Sequence, residues 1–333
     1  MKVVVAGGSG ALGRRLCVDL ATRGHEVVVL TRRPRGGPHR QVAWDGATVG
    51  DWAGELAGSA VVNLAGELVD RRPTAANVEL LTRSRVAPTR ALADAARRLE
   101  QPVPVWIQAS TLAIYGDAGE QLLTEESPEA DGPPQMAGVA RAWEAAAVDV
   151  PARRRVVLRT SIVLDRDTPA LDRLTGLVRF GLGGRVGTGR QWFSWIHVDD
   201  WLRIVRHSLG DPAGPDGAPE TVASEAVAPA PVAPEAVAPE AVAPEAVAPD
   251  GVLLATAPNP VRNSELMAAL RQVLRRPPAP PTPAAAVKLG AVFLRTDPAL
   301  ALTGRRAVPA RLTAAGFTFR HPHLAGALAD LLG

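Results

Sequence analysis

The residues Gly7-Gly8-Ser9-Gly10-Ala11-Leu12-Gly13 have the types and spacing to hold a diphosphate. They follow the β-branched run Val3-Val4-Val5 and precede a helical pattern of Arg14, Arg15, Leu16 and Leu20. A helix that opens from such a turn aims unpaired N–H groups and its positive dipole end at an anion. Gly7 permits the tight turn, Gly10 a close backbone approach, and Gly13 the packing of helix on strand. The bland alternative is a glycine-rich turn in some other α/β protein. The next strand, Val27-Val28-Val29-Leu30, ends in Thr31-Arg32-Arg33 with no carboxylate. An acidic residue there would bind the 2′-hydroxyl of NAD, whereas two guanidiniums suit the 2′-phosphate of NADP(H). Their plainer reading is solvated loop charge.

Two later clusters also carry chemistry. Arg190-Gln191-Trp192-Phe193-Ser194-Trp195 is a polar and aromatic stretch beside a glycine loop. Arg190 and Trp195 are candidates to line a ligand, or the indoles pack between two lobes. His197 precedes Asp199 and Asp200. It is either an acid/base near neutral pH or a structural residue that orders its loop, and Asp199 is a candidate helix cap. The expected metal is none, because no further ligand cluster joins these three.

The elements that must position these residues follow from alternation. Strands are expected at 2–6, 26–30, 60–64, 104–109, 155–160 and 251–256, with a weaker one near 41–43. Helices are expected at 11–23, 74–98, 136–148 and 265–275, the last capped by Ser264, with a short amphipathic helix closing the tail. This order predicts an α/β fold: a Rossmann-type doubly wound parallel sheet with a smaller C-terminal substrate lobe. The nucleotide domain is expected over 1–165, completed by about 195–210 and 251–258, and the substrate lobe over 166–194 and 259–333. Segment 166–194 loses the alternation and turns glycine-rich. Between 211 and 250 the repeat Glu-Ala-Val-Ala-Pro places prolines at 229, 234, 239, 244 and 249, which reads as a low-complexity linker.

A chain of 333 residues with 47% hydrophobic residues can bury a full core. The net charge is +3, and the arginines are scattered, so no nucleic-acid surface is expected. The single cysteine, Cys17, excludes an internal disulfide. The apolar start is too short for a signal peptide, and no apolar run approaches membrane-spanning length. The expectation is a cytoplasmic protein acting on a small-molecule substrate.

Asn63-Leu64-Ala65-Gly66 resembles the fourth-strand signature of short-chain dehydrogenases/reductases. Ser110-Thr111-Leu112-Ala113-Ile114-Tyr115-Gly116 resembles the fifth-strand end of their extended branch. The stretch from Gly187 to Asp200 and the run Gly304-Arg305-Arg306-Ala307-Val308-Pro309-Ala310-Arg311-Leu312 are similar to a narrower group. That group is the atypical epimerase-family proteins with a small extra C-terminal domain. The resemblance implies that Leu64, Ala65, Gly66 and Ser110 lie along the cofactor, that the backbone at Arg159 and Thr160 meets the nicotinamide amide, and that Glu67 either faces the cofactor or starts a loop. Members of the superfamily often form a homodimer through helices of the nucleotide lobe.

The superfamily's Tyr-x-x-x-Lys pair is missing. The only tyrosine is Tyr115, and Gly119 stands four residues on. Counting back from Glu144 puts Met136 and Ala140 at the two positions, and neither moves a proton. Arg85 stands where extended members carry an asparagine. The resemblance places Thr111 at the catalytic serine/threonine position and Tyr115 near the nicotinamide. Tyr115 is thus either a replacement proton donor, tuned by a cation such as Arg190, or a structural residue of the turn. These features imply an NADP(H)-dependent oxidoreductase or epimerase for a small carbonyl or hydroxyl compound. The competing readings are a non-catalytic NADP(H)-binding module and a cofactor-assisted cyclase or dehydratase.

Overall fold

The valine run at the amino terminus forms the middle of a seven-stranded parallel sheet. The computed structural model describes residues 1–166, 168–211, 249–294 and 297–333, so most of the proline repeat lies outside the described residues. The strands are β1 Lys2–Ala6, β2 Glu26–Thr31, β3 Arg40–Ala43, β4 Ala60–Asn63, β5 Val103–Thr111, β6 Ala152–Thr160 and β7 Gly251–Ala255. Their order is β7-β6-β5-β4-β1-β2-β3, with every pairing parallel. The order reverses direction at β1, between β4 and β2. In open parallel sheets the crevice at that switch point receives the ligand.

Alternation along β1 feeds two cores. Val3 and Val5 pack with Leu16, Cys17 and Leu20 of α1 (Ala11–Thr22) and with Trp201 and Val205 of α5 (Val198–Leu209). Val4 and Ala6 face Leu92 and Ala96 of α2 (Ala75–Arg97) and Trp106 of β5. Helices on both faces explain why these strands read as continuous apolar runs. Each fully buried valine or leucine contributes about 1.5–3 kcal/mol of transfer free energy. Burial also pushes the Cys17 thiol up to about 12, so it is a core group.

A further core lies apart from the sheet. It joins Leu171 and Val178 of α4 (Pro169–Arg179), Trp195, Leu266 and Leu270 of α6 (Asn263–Val273), and Leu324, Leu328 and Leu331 of α8 (Leu324–Leu332). The helix α4 was not expected from the glycine-rich sequence, yet Leu171, Leu174 and Val178 recur at helical spacing and set its buried face. α7 (Ala284–Leu294) was likewise unexpected.

Other boundaries move for local reasons. The helix expected over 136–148 opens as a π-helical turn, Pro134–Gly138, before α3 (Val139–Ala145). β6 begins earlier than expected, because Arg153 and Arg155 alternate outward on a strand whose first half is solvated. Ser264 does not cap α6: the helix starts at Asn263, and the Glu265 carboxylate accepts from the Arg262 N–H at 2.6 Å. Asp199 does not cap α5 either. The His197 side chain does so, with Nδ1 accepting from the Asp199 N–H at 3.1 Å.

Candidate cofactor and active site

The carboxyl ends of β1, β2 and β4 open into a cleft of about 1410 Å³. Gly7 to Gly10 and the adjoining Leu64 to Glu67 both line it. Gly7 has φ +83°, and a Cβ there would lie 2.7 Å from the Leu64 carbonyl carbon. At Gly13 a Cβ would lie 2.3 Å from Gly7 O. The cradle therefore exists only because both positions lack side chains. Ala11 and Leu12 open α1, whose N-terminus has no side-chain cap, so its first N–H groups remain for an anion.

The floor at Asn63 is held by a buried polar network. Asn63 Nδ2 donates to Thr89 Oγ1 at 2.8 Å and to Gln108 Oε1 at 3.0 Å, and Asn63 Oδ1 accepts from the Ala65 N–H at 3.2 Å. Trp143 Nε1 donates to the same Thr89 hydroxyl at 3.2 Å. Arg85, buried against Trp143, donates to Glu67 O at 2.9 Å and fixes the loop after Gly66. Burial pulls its pKa down to about 10, with the charge of Glu67 opposing.

Thr31, Arg32 and Arg33 line the far end of the cleft. Arg14, Arg35 and Arg83 join them, Arg14 read from the sequence only as part of a helical pattern and the other two given no role. Their signal lies in a glycine- and proline-rich loop and on two helix faces, where position only emerges from the fold. Arg32 lies 3.6 Å from Glu67 while remaining 73% exposed, so it can swing to a stronger anion. A diphosphate cradle beside several guanidiniums fits a phosphorylated dinucleotide.

Thr111 ends β5. Its Oγ1 accepts from the Ala113 N–H at 3.2 Å, and its hydroxyl proton has no acceptor among the described residues. Tyr115 behaves differently. It is 4% exposed; its hydroxyl donates to Thr124 O at 3.0 Å and accepts from Arg159 Nη1 at 2.9 Å. Burial raises its pKa, against the hydrogen bond and charge of Arg159, so the phenol stays protonated.

Arg159 is turned into the same network. It forks onto Glu144 at 2.9 and 2.8 Å and reaches Glu129 at 2.5 Å. Burial acts to lower its pKa, and the bonds and charge of Glu144 more than offset this. Ser110 Oγ donates to Glu144 as well. Thr160 accepts from Trp201 Nε1 at 3.3 Å. The side chains of Ser110, Arg159 and Thr160 therefore brace the sheet end and are not among the residues lining the cleft, which leaves their backbone to meet a cofactor.

The residues expected to touch substrate do not come together. Trp195 is fully buried and donates to Asn259 O at 3.1 Å. His197 is 1% exposed, stacked on His321 with ring centroids 3.8 Å apart. Asp200 beside it accepts from the Arg320 and His321 N–H groups at 2.7 and 2.8 Å. The motif thus clamps the carboxyl-terminal segment. Arg190 is 78% exposed near Glu120, at 3.8 Å. His197, Asp199 and His321 offer donor atoms within 4.8 Å of one another. The two imidazole planes are only 28° apart, so their in-plane lone pairs run side by side and do not converge on one ion.

The comparisons with known proteins agree with this geometry. A family model described as "NAD dependent epimerase/dehydratase family" matches residues 3–138. A domain of unknown function, DUF1731, matches residues 282–331. The chain belongs to the epimerase family that contains SDR39U1. It is 33% identical over 337 residues to "Epimerase family protein SDR39U1" of Bos taurus, covering 100% of both chains. The crystal structure of human SDR39U1 (isoform 2) with NADPH superposes with a TM-score of 0.79 at 31% identity, covering 100% of this chain and 99% of that one. The structure of a nucleoside-diphosphate sugar epimerase from Corynebacterium glutamicum gives 0.71 at 30% identity, covering 100% of this chain and 58% of that one. Among the described residues no helix is long and apolar enough to cross a membrane.

Proposed function

We propose that the cleft binds NADP(H) and that the protein is a cytoplasmic oxidoreductase or epimerase for a small carbonyl or hydroxyl compound. The observation that carries this reading is the side-chain-free cradle at Gly7 and Gly13 facing Arg32, Arg33 and Arg35 across one cleft. The crystallisation of the human relative with NADPH supports it. The N–H groups at the start of α1 would hold the diphosphate, and the arginines the 2′-phosphate. When bound, the cofactor supplies a hydride. The Thr111 hydroxyl donates to the substrate oxygen, and the segments 166–194 and 259–333 cover the substrate. Tyr115 acts by position: its proton is committed to Thr124 O and its ring carries Arg159 at 5.2 Å.

A second reading is a non-catalytic NADP(H)-binding module. It is favoured by one observation: Met136 and Ala140, where the acid/base pair would stand, are both buried and apolar. Titration with NADPH and NADH separates the claims. NADPH binds more tightly, and the double substitution Arg32→Ala, Arg33→Ala erases the difference. Equal affinities for the two nucleotides in the unaltered protein refute the phosphate assignment. Tight NADPH binding without turnover of any compound in a carbonyl panel favours the second reading.

A further inference from the structure

Among the described residues the buried arginines are partnered, whereas the half-buried Arg305 is not. Arg159 has Glu144, Glu129 and Tyr115; Arg206 lies 2.5 Å from Asp19; Arg85 donates to two backbone carbonyls. Arg305 has none of this. Its backbone is pinned, with the N–H donating to Trp192 O at 3.1 Å and the carbonyl accepting from Ser194 Oγ at 2.8 Å. Its guanidinium reaches only the Met136 sulfur, at 3.4 Å, and its Nε is sealed from solvent without an acceptor. Thioether sulfur is a weak acceptor. A partly desolvated guanidinium left this way is less favourable than a paired one. Burial pulls its pKa below the ordinary range, with the charge of Asp117 opposing.

The place of this unpaired cation is informative. Met136 lies in the π-helical turn, at the position where the superfamily keeps its acid tyrosine. The adjacent Gln135 donates from Nε2 to Arg71 O at 2.7 Å, while its Oε1 is buried and unpartnered. Arg71 Nε is buried and unpartnered too, and Arg71 lies 3.3 Å from Glu67, where the cofactor cleft ends. Unsatisfied polar atoms thus continue from the cleft wall to Arg305. π-turns of this kind are frequent at functional sites.

We propose that Arg305 is the anchor for a small carboxylic acid, whose carboxylate docks on the guanidinium fork beside Met136 while Gln135 Oε1 accepts from a neighbouring hydroxyl. This deepens the proposed function, on which it rests, by naming the substrate class. A monoanion is favoured over a phosphate dianion because one guanidinium is available. The adjacent Arg306 is engaged elsewhere, 4.6 Å from the Trp192 ring centroid.

The test uses the full chain, with and without NADPH, titrated calorimetrically with glycolate, lactate and pyruvate, their amides, and inorganic phosphate. At least one acid binds, and its amide binds about tenfold or more weakly, as a lost charge-assisted hydrogen bond requires. Arg305→Gln weakens the acid by about tenfold or more, Arg305→Lys by less, and Arg306→Gln by less than about twofold. Thermal melting verifies that each variant is folded. The proposal is overturned if no acid binds, if amides or phosphate bind as well as the acids, or if Arg305→Gln leaves affinity unchanged. NADPH titration of the same samples separates the two ideas. Failure of unaltered protein to bind NADPH removes the functional reading, whereas NADPH binding without acid binding removes only the Arg305 assignment.

Discussion

Replacing Gly7 by alanine tests the cradle most directly, because Gly24 supplies an internal control. Both glycines have φ near +80° (+83° and +80°), so both alanines carry the same left-handed backbone penalty, about 1–2 kcal/mol. Only Gly7 meets its neighbours: the added Cβ would lie 2.7 Å from Leu64 C and O and 2.9 Å from Ala65 N, whereas at Gly24 nothing lies within 4 Å. Ordinary contact needs about 3.5 Å, so the β4 loop must retreat by about 0.8 Å or β1 must bend. Overpacking of this size costs about 1–3 kcal/mol beyond the backbone penalty. The atoms displaced belong to two segments that line the cleft, so binding falls together with stability. Thermal unfolding and NADPH fluorescence titration read both. Gly24→Ala lowers the melting temperature modestly and leaves NADPH affinity within about twofold, a change of only about 0.4 kcal/mol. Gly7→Ala melts lower still and binds NADPH at least about tenfold more weakly, the loss of one charge-assisted hydrogen bond. Equal NADPH affinity in the two variants would refute the argument that absent side chains make this site.

Arg159→Gln strands Glu144 and Glu129 beside Tyr115 and destabilises the protein by about 3–5 kcal/mol, measured by urea unfolding. Adding Glu144→Gln recovers much of that loss, and an unaltered midpoint in the single variant would show the network to be inert. His207 and His197 are held neutral in the fold, His207 by burial and then Arg154, His197 by burial and then the charge of His321, with Asp199 and Asp330 opposing. Their folded pKa values lie below the unfolded value of about 6.5, so this contribution is complete above about pH 6.5 and is lost as pH falls through the depressed values. Melting temperatures recorded from pH 7.5 to 5 therefore decline, and His207→Gln makes the decline shallower; an unchanged slope would remove His207 from the account.

The nucleotide half was legible because its signals are local. Val3 to Gly13 carry strand, turn and helix within one short stretch, and Thr74 caps α2 where the pattern starts, accepting from the Asn77 N–H at 3.3 Å. What the sequence concealed depends on residues far apart. Tyr115 looked available until Arg159 and Thr124 were seen to hold its hydroxyl. His197 read as either an acid/base or a loop-ordering residue, and only the fold stacks His321 upon it. Arg305 stood in a family run without a role of its own, because its surroundings come from Met136, on another element and 169 positions away. Polar residues at a site are recognisable by type only when the fold leaves them unspent.

The order of strands also governs how the protein is made. The edge of β6 is closed by β7, and Thr160 and its partner Ala255 leave the ribosome far apart in time. At about 5–20 residues per second, the gap lasts on the order of 5 to 20 seconds. Throughout that interval the nascent chain carries a finished diphosphate turn but an open ladder of unpaired amides along Val156, Val157 and Leu158. Synthesis is therefore the stage at which the β6 edge is open to pairing with another strand.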